Sequence, residues 1–179
     1  VERSVGACLD HARDSILHDG RRIIVRAYPA PIDWPRTLAE RLPSVDRCRA
    51  LVRARLELDD DVRLGIGVDR LDYTKGLVEK FLAVERLLEV FPEHRDRFVF
   101  VQIAAPSRDR LPAYRDVRSR LHDVVNRIND RFGTDGRQPA RLLESHHGPE
   151  EVYHWLRAAD VCYVGSLHDG MNLVAKEFV

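Results

Sequence analysis

The chain has 179 residues, enough for one domain with a sizeable core, and its 44% hydrophobic and 32% charged content is ordinary for a globular protein. Its 29 basic and 29 acidic residues balance, which argues against nucleic acid or an anionic membrane surface as a partner. Cys8, Cys48 and Cys162 are odd in number and widely spaced, so we expect reduced thiols in a cytoplasmic protein. We find neither a signal peptide nor an apolar run of membrane length. The chain starts with Val1 and stops inside a predicted helix, and we expect a fragment.

The first third of the chain predicts a polar lead-in. Residues 1–18 are interpreted as a short helix, Asp19-Gly20 as a turn, and Arg22–Tyr28 as a strand that a proline-rich connector ends. A change to regular alternation of strands and helices places a domain boundary near Asp59. The helices predicted before that boundary are Thr37–Leu42 and Val45–Leu56.

From Val62 onward, apolar runs that predict strands alternate with apolar stripes of helical period. This alternation indicates right-handed crossovers and an α/β fold with a Rossmann-like, doubly wound parallel sheet. The predicted strands are Val62–Val68, Phe98–Ala104, Ala140–Ser145 and Val161–Gly165. The predicted helices are Leu77–Phe91, a long charged helix that ends near Gly133, and Pro149–Ala159.

Ligands of such sheets bind beyond the carboxyl ends of the strands, so the loops there are candidate sites. In the first loop, Arg70 can hold phosphate oxygens bidentately, Lys75 adds a compact charge beside a helix start, and Gly76 allows close backbone approach. Taken alone, such a pair of cations is more often a surface feature. The loop has neither a P-loop motif nor a dinucleotide glycine fingerprint.

The next two loops contribute Arg108 and His146-His147. Taken alone, Arg108 is more often a surface charge. Adjacent histidines without a nearby Cys or acidic cluster do not predict a metal site, and we interpret them as loop or packing residues, with His147 as a lesser candidate for a pocket wall. No Gly-x-Ser-x-Gly elbow or Cys–His pair supports a hydrolase with a covalent nucleophile.

The last stretch, Val161–Val179, predicts a strand, a turn at Asp169-Gly170 and a helix start. Backbone N–H groups and the helix dipole at such a turn suit an anion. Asp169 at the helix cap and Glu177 two turns later would accept hydrogen bonds from neutral hydroxyls, so the arrangement suits a nucleotide sugar. On this stretch alone, a simple N-cap and a solvated helix face are the more probable interpretation.

Four motifs together resemble the trehalose-6-phosphate synthase family, in order, over roughly two-thirds of the chain. The resemblance implies a retaining glycosyltransferase of the two-domain GT-B fold, which transfers glucose from UDP-glucose to glucose 6-phosphate to form trehalose 6-phosphate. Residues 1–58 would then be the end of the N-terminal domain and a lead-in segment, and residues 59–179 part of the C-terminal nucleotide-sugar-binding domain. The motifs are Val68-Asp-Arg-Leu-Asp-Tyr-Thr-Lys-Gly76, Gln102-Ile-Ala-Ala-Pro-Ser-Arg108, Arg127-Ile-Asn129 and Asp169-Gly-Met-Asn-Leu-Val-Ala-Lys-Glu177.

The resemblance also implies roles for single residues. Arg70 and Lys75 match the pair that holds and stabilises the departing diphosphate, and Arg108 matches an arginine that meets the acceptor phosphate. Asp169 matches the carboxylate on the donor glucose hydroxyls, and Glu177 the carboxylate on the ribose hydroxyls. Other positions that match donor contacts are Gly170, Met171, Asn172, Leu173 and Val174.

The chain departs from the family pattern at three places. His147 falls in the nucleoside pocket where a bulky apolar residue is usual, and His168 replaces a frequent arginine. Tyr28-Pro-Ala-Pro-Ile-Asp33 matches the lead-in segment, with Ala30-Pro31 in place of the more usual Ile-Gly. The implied mechanism uses no metal and no cofactor. Because much of the acceptor site belongs to the N-terminal domain, we expect this fragment alone to be inactive.

Three alternatives stay open at this point. One is a related family member with another acceptor, such as a glucosylglycerol-phosphate synthase or a pseudo-glycosyltransferase. Another is a non-catalytic regulatory domain, and the last is an unrelated Rossmann dehydrogenase, which the missing glycine fingerprint disfavours. The donor nucleotide is also open, with UDP, GDP and ADP as the candidates. The oligomeric state is open as well, and a homo-oligomer is one of the alternatives.

Overall fold

The computed structural model describes residues 6–26, 40–107, 112–134 and 136–178. The chain divides into two units, Val1–Asp33 and Trp34–Val179. The connector predicted at residues 29–35 and the start of the helix predicted at Thr37 lie outside the described residues, as does Arg108.

The first unit contains an antiparallel sheet of β1 (Cys8–Asp10), β2 (Ser15–His18) and β3 (Arg21–Ile24), in that order. The helix predicted within residues 1–18 is therefore wrong. Strand pairing supplies the backbone hydrogen bonds that so short a helix would have to form alone at an unfavourable nucleation cost. The turn at Asp19-Gly20 is confirmed, and both residues have the positive φ, 47° and 71°, that a two-residue hairpin loop needs.

The second unit is a parallel sheet with helices on both faces, as the sequence predicts. The strand order is β6-β5-β4-β7, and every neighbouring pair is parallel. In chain order the elements are α1 (Val45–Leu56), β4 (Arg63–Arg70), α2 (Leu77–Val90), β5 (Phe98–Ala105), α3 (Pro112–Phe132), β6 (Ala140–Leu143), α4 (Pro149–Ala158), β7 (Val161–Cys162) and α5 (Leu173–Phe178).

Strand β7 is shorter than the predicted Val161–Gly165. The N–H of Tyr163 still donates to the carbonyl of Ile66 at 2.8 Å, and the chain then leaves the sheet. The N–H of Leu167 donates instead to the carbonyl of Thr74, also at 2.8 Å. The apolar run would suit a longer strand, but this bond takes the chain across the carboxyl end of β4.

The two faces of β4 differ, because one carries apolar side chains and the other carries glycines. Leu64 and Ile66 are buried on the face that packs against α1 and α4. The alternate positions, Gly65 and Gly67, lack side chains, and the space is occupied by the rings of Phe98 and Phe100 and by the fully buried side chain of Gln102 from β5. A polar side chain is thus accommodated on the α2 and α3 side of the sheet.

Helix α1 packs in the same core as β4. Its residues Cys48, Val52 and Leu56 are buried with Leu64 and with Trp155 of α4. Ser44 caps its first turn by accepting from the N–H of Arg47. The compact units thus divide before α1, whereas the boundary near Asp59 concerns the domains of the wider family and stays a prediction.

Asn129, in the third resemblance motif, closes the amino end of edge strand β6. Its side-chain amide donates to the carbonyl of Ala140 at 2.9 Å and accepts from the N–H of Ala140 at 3.0 Å. The side chain therefore replaces a neighbouring strand at that residue.

Helix α3, with 21 residues, is joined to α2 by ion pairs. Glu85 accepts from Nε and Nη2 of Arg127 at 2.9 and 2.6 Å, and from Arg131 at 3.3 Å. These hydrogen bonds, that of Arg127 first, hold the pKa of Glu85 below its ordinary value of 4.5.

Among the described residues, no helix combines the length and the apolar character that crossing a membrane needs.

Glu85→Gln should lower the free energy of unfolding at pH 7 by up to about 1 kcal/mol. A carboxyl whose folded pKa is lowered contributes stability above its unfolded pKa, here 4.5, and loses it as pH falls through the folded pKa. The difference between variant and wild type should therefore shrink below pH 4.5 in urea titrations. Glu79→Gln, at an exposed site on α2, is the matched control. A difference independent of pH would contradict this account.

Candidate functional site

A cavity of about 300 Å³ lies at the carboxyl edge of the sheet, where ligands of such folds bind. It lies between two loops, which we call the β4 loop (residues 71–76) and the β7 loop (residues 163–172). Strands β4 and β5 form its floor. Its wall residues are Val68, Asp69, Arg70, Lys75, Ala105, Asp169, Met171, Asn172, Leu173 and Val174.

The β4 loop is shaped by the carboxylate of Asp72. One of its oxygens accepts from the N–H and the hydroxyl of Thr74, at 2.9 and 2.8 Å, and the other from the hydroxyl of Tyr114 at 3.2 Å. Burial acts to raise the pKa of Asp72, but these hydrogen bonds, together with the charge of Arg70, outweigh it and lower the pKa. The result is a short 3-10 turn, Tyr73–Lys75, that ends at Gly76 with φ of +62°.

The β7 loop is fastened to the β4 loop through backbone groups. The carbonyl of Thr74 accepts from the N–H of Leu167 at 2.8 Å and from that of His168 at 3.1 Å. Gly76 lies so close to the carbonyl of Gly165 that a Cβ on Gly76 would overlap it. The two loops therefore form one wall.

Lys75 and Asp169 meet at the join of the two loops. The distance from Lys75 Nζ to Asp169 Oδ2 is 2.6 Å, and the two side chains are only 16% and 21% exposed. The same carboxylate oxygen accepts from Ser166 Oγ at 3.1 Å and from Asn172 Nδ2 at 3.3 Å. The hydrogen bond from Lys75 is the main cause of a lowered pKa of Asp169.

The prediction that Asp169 caps the last helix is wrong. The cap is Asn172, whose side-chain oxygen accepts from the N–H of Ala175 at 3.2 Å. Helix α5 begins only at Leu173, too far along the chain for Asp169 to reach its first turn. Asp169 is left to pair with Lys75 and Asn172 at the cavity wall.

The cavity combines charge with apolar surface. Arg70 is exposed at its edge, and within the described residues no carboxylate lies within 4.0 Å of its guanidinium. The apolar wall comes from β4, β5, the end of the β7 loop and the start of α5. The described residues contain no group of three or more His, Cys, Asp or Glu side chains that could hold a metal ion. The arrangement suits an organic ligand with an anionic group near Arg70 and Lys75 and hydroxyl groups near Asp169.

Other predicted site residues lie elsewhere. Glu177 lines a separate cavity of about 320 Å³, together with Tyr153 and Arg157. The His147 ring lies 2.9 Å from both Ser145 Oγ and Glu151 Oε2, and its side chain is 4% exposed. Gly170 belongs to the β7 loop between two wall residues without contributing to the wall, and Arg108 lies outside the described residues.

Sequence reasoning missed a buried polar group below the cavity. Lys80 Nζ lies 2.5 Å from Asp69 Oδ2, and their side chains are 1% and 2% exposed. Burial raises the pKa of Asp69 above its ordinary value of 3.8, and the ammonium of Lys80 offsets part of that effect. A signal was present, because Lys80 is three residues after Leu77 and four before Val84, on the buried face of α2.

The chain is similar to known proteins over most of its length. The family model described as glycosyltransferase family 20 matches residues 1–179. The chain is 46% identical over 129 residues to a trehalose-6-phosphate synthase of Salmonella arizonae, which covers 72% of this chain and 27% of the relative.

Two solved structures are also similar to this chain. One, named after trehalose-6-phosphate from E. coli and bound with UDP-2-fluoro glucose, has a TM-score of 0.81 and 36% identity over 96% of this chain and 37% of that chain. The other is a UDP-forming alpha,alpha-trehalose-phosphate synthase from Burkholderia xenovorans in complex with glucose-6-phosphate. Its TM-score is 0.82 and its sequence identity is 35%, and the match covers 98% of this chain and 39% of that chain. The chain spans about a third of the length of these relatives.

Gly76→Ala should separate the two loops at their point of contact. The variant bears the cost of a left-handed residue with a Cβ, about 1–2 kcal/mol, and an overlap with the carbonyl of Gly165. Gly136→Ala is the matched control, because Gly136 has φ of +79° with nothing within 4 Å of its Cβ position. Chemical denaturation should show Gly76→Ala to be less stable than Gly136→Ala by about 1–3 kcal/mol. Equal losses would mean that the contact contributes nothing.

Proposed function

Because the chain belongs to glycosyltransferase family 20, we propose that it forms the donor side of a retaining glycosyltransferase. The reaction transfers glucose from UDP-glucose to glucose 6-phosphate and yields trehalose 6-phosphate and UDP. The observation that carries this proposal is the cavity that brings Arg70 and Lys75 together with Asp169, which lies far from them in the chain. The ligands named for the E. coli and Burkholderia xenovorans structures support the choice of substrates.

The proposed chemical role of Arg70 and Lys75 is electrostatic. As the bond between glucose and diphosphate breaks, negative charge grows on the departing phosphate oxygens, and cations held in place beforehand stabilise that charge. Arg70 offers a planar pair of N–H donors, and Lys75 offers a compact ammonium. The acceptor hydroxyl then attacks the same face of an oxocarbenium-like glucose and passes its proton to the departing diphosphate oxygen, with no protein nucleophile and no metal or other cofactor.

Asp169 is proposed to bind the glucose of the donor. Its carboxylate accepts hydrogen bonds from the donor glucose hydroxyls, while Lys75 turns from Asp169 to the diphosphate. Asn172 would help to orient the sugar through its bond to Asp169. The ion pair of Lys75 with Asp169 holds both groups close to the positions in which they are proposed to act.

The remaining assignments follow from the family alone. Arg108 is proposed to contact the acceptor phosphate, Glu177 the ribose hydroxyls and His147 the nucleoside pocket. The wall residues of the β7 loop and α5, with Gly170, are proposed to contact the donor through side chains and backbone N–H groups.

The proposal also concerns the protein as a whole. Because the chain spans about a third of its relatives, transfer is assigned to the complete protein that contains it. The free cysteines Cys8, Cys48 and Cys162 support a location in the cytoplasm.

Arg70→Ala should lower kcat for transfer by about 100-fold or more, as expected when a donor to a developing oxyanion is lost. The assay follows UDP release from UDP-glucose with glucose 6-phosphate in the complete protein, with and without acceptor. Arg86→Ala is the matched control, because Arg86 is exposed on α2 and pairs with Glu89. Folded wild-type protein that binds UDP-glucose but releases no UDP would contradict the proposed function.

Asp169→Asn should strengthen the binding of UDP but slow the transfer of glucose from UDP-glucose. Loss of the carboxylate frees Lys75, so UDP should bind about threefold to tenfold more tightly, whereas kcat for transfer should fall because the sugar hydroxyls lose their acceptor. Calorimetric titration with UDP and the transfer assay measure the two effects. Asp59→Asn removes an aspartate that pairs with Arg137 at the opposite edge of the sheet and should change neither. Weaker UDP binding by Asp169→Asn would contradict the competition for Lys75.

A further inference from the structure

A charged pair is buried directly beneath the cavity. The distance from Lys80 Nζ to Asp69 Oδ2 is 2.5 Å, and Gln102 Nε2 donates to the same oxygen at 3.1 Å and to the carbonyl of Ile103 at 2.9 Å. All three side chains are at most 2% exposed. We call these three residues, Asp69, Lys80 and Gln102, the Asp69 network.

Stability alone does not account for this network. Removing two charges from water has a large desolvation cost, and an apolar pair of similar volume is often as stable or more stable. The neighbouring core is apolar, with Leu77, Phe81 and Phe100 buried on the same face of the sheet. The network also requires a glycine at position 67, because a side chain there would overlap the side chain of Gln102.

The position of the network points to its purpose. Asp69 directly precedes Arg70, and Lys80 follows Lys75 by little more than one helical turn. Their ion pair therefore joins the two ends of the segment that carries both cations of the cavity. Gln102 fixes the same carboxylate from β5, the strand paired with β4 along its whole length.

Arg70 depends on this support more than Lys75 does. Lys75 is also held by Asp169, whereas the exposed Arg70 has no carboxylate within 4.0 Å among the described residues and interacts only at longer range with the charge of Asp72. Its position is set mainly by the backbone at the end of β4. A shift of that backbone would move the guanidinium relative to the diphosphate.

We infer that Asp69, Lys80 and Gln102 are positioning residues that set where Arg70 and Lys75 stand against the diphosphate of the donor. The inference rests on the proposed function for the identity of that ligand. The three residues act through the two cations and do not touch the reacting atoms. Misplacement of catalytic groups by about 1 Å reduces rates by up to about 100-fold, so the expected loss is in kcat.

The test separates positioning from stability by comparing Lys80→Met with the double variant Asp69→Asn/Lys80→Met in the complete protein. Lys80→Met leaves a buried carboxylate without its cation and should lower the unfolding midpoint strongly. The double variant removes both charges and should recover most of that stability. Its kcat should stay about tenfold or more below wild type, with a smaller, roughly threefold, loss of UDP affinity. Recovery of stability together with kcat and UDP affinity would overturn the inference.

Two further variants test the inference independently of the double variant. Gln102→Leu retains the ion pair but removes the hydrogen bonds to Asp69 and Ile103, so it should lower kcat with a loss of unfolding midpoint well below that of Lys80→Met; if the double variant does not fold, unchanged kcat in Gln102→Leu overturns the inference. Glu85→Gln/Arg127→Met neutralises another ion pair of α2, on the side that faces α3, and should leave kcat unchanged. If wild type lacks transfer activity, the proposed function fails, and UDP affinity of the folded variants still decides the inference.

Discussion

The hydrogen bonds that the carbonyl of Thr74 accepts from the β7 loop are the interaction on which the site depends. Lys75 and Asp169 are 94 residues apart in the chain, and these bonds join the two loops that carry them. Thr74 is in turn oriented by Asp72, which accepts from both its N–H and its hydroxyl. The polar groups that would bind a ligand are thus placed by backbone groups that do not bind it.

The two lysine–aspartate pairs of this region differ in exposure, and this difference separates their uses. The pair of Lys80 and Asp69 is almost fully buried, so neither partner has water or ligand to replace the other. The pair of Lys75 and Asp169 is partly exposed at a cavity wall, where an incoming anion and incoming hydroxyls can take over both partners. The buried pair suits a fixed support, and the exposed pair suits exchange.

The parallel sheet is predicted from periodicity. The cavity lies at the carboxyl edge of that sheet, which is where the rule on strand ends places candidate sites. The sequence does not predict which groups pair. Asp169 and Asn172 are both good capping residues, and only the first helical residue, Leu173, decides between them. The partner of Lys80 could not be read from the chain either, because it depends on how α2 lies against β4.

Asn129 has a consequence for association between molecules. Edge strands offer unpaired N–H and C=O groups to which a strand of another chain can add. At Ala140 both outward groups are already bonded to the Asn129 amide, so a foreign strand could not begin its ladder there without first displacing that side chain. A single asparagine from α3 therefore acts as protection against strand addition and aggregation at the amino end of β6.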